Sequence, residues 1–145
     1  MLKLNFPVFE FKLKMRDNKT FIFDILRKKF FLLTPEEWVR QHVIHFLVST
    51  QDVSANLIGI EKKIMINKMT KRFDLVVFNN KGNPKLLIEC KAPSIKVDKK
   101  VFDQTAIYNK QLNSEFLMIT NGLSHLYFKC NNNSKSYTFI KDFPL

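Results

Sequence analysis

Apolar and polar residues alternate loosely from residue 4 to residue 25. Val8-Phe9-Glu10-Phe11-Lys12-Leu13-Lys14-Met15 is followed by polar Arg16-Asp17-Asn18-Lys19, then by Thr20-Phe21-Ile22-Phe23-Asp24. A period of two broken by a polar cluster predicts a β-hairpin, packed at the side of a larger sheet. The pattern changes at Thr34-Pro35-Glu36-Glu37. Thr34 suits an N-cap, Pro35 the first helical position and Glu37 the closing position of a capping box. Trp38, Val39, His42, Val43, Phe46 and Leu47 then recur at helical spacing, which predicts a helix to Ser49 or Thr50. A strand is predicted over 58–66, and two more near 72–78 and 85–91, joined by the turn formers of Asn79-Asn80-Lys81-Gly82-Asn83-Pro84. Asp98 can cap a helix over 99–112, with Val101, Thr105, Tyr108 and Leu112 on one side. Phe116-Leu117-Met118-Ile119-Thr120 is a short continuous apolar run, the pattern of a strand covered on both faces. Asn121-Gly122 makes a turn, and two closing strands, 123–130 and 136–140, are joined by a turn at Asn131-Asn132-Asn133.

This order predicts one α/β domain over 1–145, a mixed sheet with helices packed on it. Residues 1–30 form a hairpin extension, 34–121 the core and 122–145 the closing strands. Strict alternation in the two central strands places Phe73, Leu75 and Val77 with Leu86, Ile88 and Cys90 on one face. The other face carries Val76, Phe78 and Leu87 and, at one end, a charged trio. Apolar residues make up 46% of the chain, and fifteen are Phe, which excludes a disordered segment and supports a genuine core. No apolar run is long enough to span a bilayer, and the first residues lack the apolar stretch of a signal peptide, so a cytoplasmic location is expected. Cys90 and Cys130 have no metal-ligand spacing, and Cys90 reads as a small core residue. The net charge of +11 favours a polyanionic partner. Most of it is Lys, in a chain also rich in Asn, Ile and Phe, so compositional bias explains part of it and charge alone does not establish nucleic-acid binding.

The charged trio is Asp74, Glu89 and Lys91. In a symmetric hairpin with Phe78 opposite Lys85, Asp74 faces Glu89, and Lys91 lies two residues on, on the same face. Facing carboxylates repel, and a divalent cation between them removes the repulsion. Hard carboxylate oxygens suit Mg²⁺, with Mn²⁺ as the alternative ion and the backbone carbonyl of Cys90 as a further ligand. Lys91 would hold or deprotonate an attacking water, or stabilise charge on a phosphoryl group. The chemistry expected of such a trio is phosphodiester hydrolysis. The competing reading is an ordinary ion pair, Asp74 with Lys91 or Glu89 with Arg72, worth little at a sheet edge.

An Asp at one strand and Glu-x-Lys on the next resemble the PD-(D/E)XK nuclease superfamily, although Phe73 stands where that pattern has proline. Gln104-Thr-Ala-Ile-Tyr108 fits the Gln-x-x-x-Tyr motif of some members. Phe23-Asp24, Arg27, the run from Leu33 to Gln41 and Leu87-Ile88-Glu89-Cys90-Lys91-Ala92-Pro93 resemble the N-terminal domain of type I restriction enzyme R subunits. The resemblance implies a restriction-endonuclease-like αβββαβ core, Mg²⁺, DNA cleavage and restriction–modification partner subunits. It adds Gln104 and Tyr108 to the candidate catalytic residues. Glu37 becomes the candidate for an acidic ligand from the first helix, ahead of Glu36 and Glu61, although capping alone would explain it. Within 145 residues there is no room for an ATPase motor, so ATP-driven translocation is not expected. Lys71 and Arg72 before the motif, Lys96, Lys99 and Lys100 after it, and Arg40 on the first helix are candidate nucleic-acid contacts, each with a solvated-rim alternative. The three His residues suggest no metal site. Two rival readings stay open, a binding module that does not cut and a subunit active only with a partner. The form of the substrate is not legible.

Overall fold

In the computed structural model, which describes residues 1–66, 68–131 and 136–145, the chain forms a three-stranded sheet, a six-stranded sheet and two α-helices. The first sheet comprises β1 (Leu13–Arg16), β2 (Lys19–Asp24) and β3 (Lys29–Leu32), all antiparallel. The predicted hairpin is present, with a later start and a third strand. Residues 8–11 stay outside the sheet, and Phe9 and Phe11 lie instead against His45, at centroid distances of 5.5 and 4.6 Å. The third strand follows from Asp24. Its Oδ1 accepts the backbone N–H groups of Leu26 and Arg27, each at 2.8 Å. Lys28, at φ 57°, then turns the chain back.

Helix α1 (Pro35–His45) begins as predicted, with the Thr34 hydroxyl accepting the Glu37 N–H at 3.0 Å. It continues as a π-helical turn, Phe46–Thr50, which reaches the predicted end. The large sheet contains β4 (Ile58–Ile66), β5 (Met69–Phe78), β6 (Pro84–Cys90), β7 (Phe116–Thr120), β8 (His125–Asn131) and β9 (Ser136–Ile140), in sequence order. Helix α2 (Lys99–Leu112), capped by Asp98, crosses between β6 and β7. That crossover makes β6–β7 parallel where its neighbours are antiparallel. The sequence helix, three strands, helix, strand is the predicted core. The predicted 131–133 turn falls partly on Asn132 and Asn133, which lie outside the described residues.

The large sheet is apolar on both faces. Val39, Val43 and Ile44 of α1 and Leu47 of the π-helical turn pack with Leu75, Val77, Leu86, Ile88, Cys90 and Met118 on one face. Val101 of α2 packs with Phe73, Val76, Leu87, Leu117 and Ile119 on the other. Cys90 is buried on the α1 face, as alternation predicts.

Two departures from strict alternation matter. First, Phe78 pairs with Pro84 rather than Lys85, because the register shifts between Val77 and Phe78. Pairing from Val77↔Leu86 to Leu75↔Ile88 is nevertheless the one a symmetric hairpin gives, so Asp74 and Glu89 are still the next residues along. Second, Phe73 lies in the α2 layer with Val76, not in the α1 layer with Leu75. Between them the strand spends two successive residues, Asp74 and Leu75, on the α1 side. Across the ladder, pairing steps from Ile60↔Leu75 to Lys62↔Phe73, and the intervening Glu61 has φ 51°. An irregularity in β4 thus stands opposite Asp74 and turns it toward α1.

Replacing Leu75, fully buried in the α1 layer, by Ala is expected to cost about 2–5 kcal/mol through lost burial and a residual cavity. Urea unfolding of the two chains measures this as a lower midpoint with an unchanged slope.

Candidate functional site

The site forms where β5 and β6 part. Their ladder ends at Leu75↔Ile88, while β6 runs on beside β7 to Cys90↔Thr120 and β5 stays paired with β4. At this opening the Asp74 carboxylate substitutes for a strand. Its Oδ2 accepts the Cys90 N–H at 2.8 Å. Its Oδ1 accepts from Arg40 Nη2 of α1 at 2.6 Å. Glu89 projects into the same opening, its carboxyl hydrogen-bonded to that of Asp74. Lys91, just past β6, places Nζ 3.8 Å from Glu89 Oε1, and its own N–H is bonded to Thr120 O at 2.8 Å. The trio read from sequence is therefore brought together.

The electrostatics follow from burial. Glu89 is only 9% exposed. Burial and then the neighbouring Asp74 charge push its pKa from the ordinary 4.5 up to about 9, with Lys91 opposing. Both causes favour the protonated form of Glu89 over a second bare carboxylate beside Asp74. Burial also works against the Arg40 charge, but Asp74 and Glu37 outweigh it and its pKa is raised. Glu36, half-exposed above, has its pKa raised by burial and by Asp74. The Cys90 thiol is pushed up by full burial and by Asp74.

Glu37 reaches this opening through Arg40. Arg40 Nη1 bonds Glu37 Oε1 at 2.7 Å while Nη2 bonds Asp74, so one guanidinium bridges the two acids. The other Glu37 oxygen accepts from Gln41 Nε2 at 3.0 Å and lies 3.5 Å from Arg27. Arg40, expected as a nucleic-acid contact, is buried and divided among carboxylates, with Glu36 at 3.5 Å and Glu61 at 4.0 Å besides. Glu61 lies 3.3 Å from Arg27 and 3.9 Å from Arg72.

This buried network extends through Gln41, beside Arg40 on the helix, to Asp24 and Arg27, which the sequence offered only as part of the family resemblance. Asp24 Oδ2 takes Arg27 Nε at 2.8 Å and Gln41 Nε2 at 2.9 Å. Burial raises the Asp24 pKa, but the backbone N–H of Arg27 and then the Gln41 and Arg27 side chains hold it below its ordinary value. A signal was available. Glu37 and Gln41 are four apart on a helix, and so share the face that Arg40 flanks. Asp24 ends a strand three residues before an Arg.

Other predicted residues sit further out. Gln104 is exposed on α2. Tyr108 is half-buried, its ring 6.2 Å from Phe73 and 5.9 Å from Lys71 Nζ. Lys96, Lys99, Lys100 and Arg72 are exposed, and Lys99 pairs with Asp103 at 2.9 Å. His42 bonds Trp38 O at 2.8 Å and His125 bridges Thr120 and Asn5, which are structural roles. Among the described residues, no group of three or more His, Cys, Asp or Glu side chains is placed to hold a metal ion. A cavity of about 710 Å³ lies elsewhere, lined by Asn109, Asn113, Cys130 and Tyr137 among others.

The arrangement defines a mixed α/β domain with a buried acidic pair at a strand opening, backed by an Arg–Glu network and fronted by a lysine. The family model described as the type I restriction enzyme R protein N terminus matches residues 35–144. The chain belongs to that family, which sets it in restriction–modification. No curated protein matches the chain. Among the described residues no helix is long and apolar enough to cross a membrane.

Two outcomes follow from the electrostatics. Arg40→Met leaves Asp74 and Glu37 buried without their shared partner and is expected to destabilise the fold by about 3–5 kcal/mol, read by urea unfolding. With EDTA present, stability is expected to fall as pH rises from about 5 to 9. The unfolded chain releases the Glu89 proton near 4.5, whereas the folded chain keeps it until about 9. Glu89→Gln removes that slope. Parallel pH curves for wild type and variant would show that Glu89 does not hold the proton.

Proposed function

We propose that this chain is a metal-dependent phosphodiesterase domain that cuts DNA, of the PD-(D/E)XK type its motifs resemble. The observation that supports it is the meeting of the Asp74 and Glu89 carboxyls at the strand opening, with Lys91 Nζ 3.8 Å from Glu89. The donor set fits Mg²⁺, or Mn²⁺ in its place. Two hard carboxylates and the nearby Cys90 carbonyl supply oxygens, and an ion that keeps several waters needs few protein ligands. Burial and the neighbouring Asp74 charge disfavour a second bare carboxylate at Glu89, and a cation there would offset the same repulsion. Asp74, Glu89 and the Cys90 carbonyl would hold the ion, which would offset charge on the phosphoryl group and acidify a bound water.

The remaining contributions belong to the chain. Arg40 and the Cys90 N–H fix the two oxygens of Asp74, so that its carboxylate is oriented before any ligand arrives. Lys91 is poised to hold the attacking water or donate to a developing oxyanion. Gln104, exposed on α2, and Lys71, beside the Tyr108 ring, would contact the DNA backbone. Lys96 and Lys100 are exposed and would add unspecific attraction for phosphates.

One observation favours a second reading, a DNA-binding module that does not cut. Arg40 already gives Asp74 a cationic partner at 2.6 Å, so the acids are partly neutralised without an ion. Cleavage of plasmid and linear DNA with Mg²⁺ decides between them. The nuclease reading expects cleavage abolished by EDTA and slowed about 10²-fold or more by Lys91→Ala. Equal rates for both chains would remove Lys91 from the chemistry. DNA binding that survives EDTA, with no cleavage by either chain, would establish the second reading.

A further inference from the structure

The sheet β1–β2–β3 precedes the family-matched span and takes no part in the acidic opening except through Asp24. Its two faces differ sharply. Ile22 and Asp24 of β2 point inward and are fully buried. Cross-strand register assigns Lys14, Phe21 and Leu32 to the opposite face, and Phe23 and Phe30 with them. Lys12 joins that face, since its carbonyl accepts the Phe23 N–H at 2.9 Å. Phe23 and Phe30 meet at a centroid distance of 5.2 Å, and Lys14 Nζ lies 4.2 Å from the Phe30 centroid. Lys12 Nζ lies 5.3 Å from Phe23.

Apart from the contacts of Lys12 and Lys14 with the rings, the charges on this outer face gain little from the fold. Arg16 and Lys19 stand directly opposite each other, a like-charge pair that weakens an antiparallel ladder. Lys12, Lys14, Arg16 and Lys19 are all exposed. Among the described residues no carboxylate pairs with Lys12, Lys14 or Lys19, and Arg16 reaches only the turn residue Asp17, at 4.0 Å. Half-buried phenylalanines ringed by unpaired cations suit one class of ligand. Its flat apolar groups stack on the rings, and its backbone is anionic and accessible. Unpaired nucleobases on a phosphate backbone have both properties, whereas a duplex hides its base faces.

We propose that the outer face of β1–β2–β3 binds single-stranded nucleic acid, with Phe23 and Phe30 as the stacking platform and Lys12, Lys14, Arg16 and Lys19 as the phosphate contacts. The face is separate from the Asp74–Glu89 opening, so binding does not depend on cleavage.

The test is fluorescence anisotropy with labelled oligothymidylate and with a duplex of equal length, on the full chain, in EDTA. The expected result is preferential single-strand binding that weakens with salt. The double variant Lys12→Glu, Lys14→Glu should lose at least tenfold in affinity with an unchanged melting temperature. Phe30→Leu, which keeps the site apolar, should lose about tenfold for the single strand. Single-strand affinity unchanged in both variants would overturn the proposal. So would a duplex preference, or the absence of binding by the wild type. A failed cleavage assay bears only on the acidic site and leaves this measurement intact.

Discussion

Arg40 joins the first helix to the strand opening, and most of the site depends on that join. Its two terminal nitrogens hold Glu37 at 2.7 Å and Asp74 at 2.6 Å, all three side chains being buried. A buried guanidinium is tolerable only when carboxylates surround it, and buried carboxylates only when such a cation reaches them. The helix cannot slide along the sheet without breaking the Arg40–Asp74 pair, while the Arg40–Glu37 pair within the helix holds the guanidinium in place. Geometry that apolar packing between α1 and β5–β6 would leave loosely specified is thereby set by hydrogen bonds with direction.

The same constraint leaves Glu89 as the group whose charge is least compensated. Asp74 has Arg40 and the Cys90 N–H; Glu89 has only Lys91 at 3.8 Å, and Asp74 as an acidic neighbour. Burial and that neighbour both push the Glu89 pKa up, toward its protonated form. A site frustrated in this way is costly for stability, and strongly perturbed groups of this kind concentrate at functional sites. The backbone shows a related cost. Glu61, a residue with a full side chain, is held at φ 51° opposite Asp74, in a region most residues avoid, and its carboxylate is engaged by Arg27.

Much of this was legible in the linear pattern where local rules dominate. Thr34-Pro35-Glu36-Glu37 marked the start of α1, and Asp98 marked α2, because capping involves groups only three residues apart. The nearness of Asp74 and Glu89 was legible because a short hairpin ties the register of two strands to its turn, and that register holds from Val77↔Leu86 to Leu75↔Ile88, leaving the two acids as the next residues where the strands part. Phe73 was misplaced because strict alternation cannot anticipate an irregularity imposed by a neighbouring strand. The third strand of the N-terminal sheet went unread because its turn is built by the Asp24 side chain rather than by glycine or proline.

The sequence alone determined most of the elements, their order, the αβββαβ core and the nearness of two acids and a lysine, since these rest on periodicity, capping and hairpin register. Tertiary structure decided what surrounds those acids. Only folding brings Arg40 from one helix, Arg27 and Asp24 from a separate sheet and Glu61 from an adjoining strand to the same few ångströms. The long-range pairs among them, Asp24 with Gln41, Arg27 with Glu61 and Arg40 with Asp74, join residues 17 to 34 apart along the chain. Charge pairing at that separation depends on burial and on how layers stack, and a one-dimensional pattern records neither.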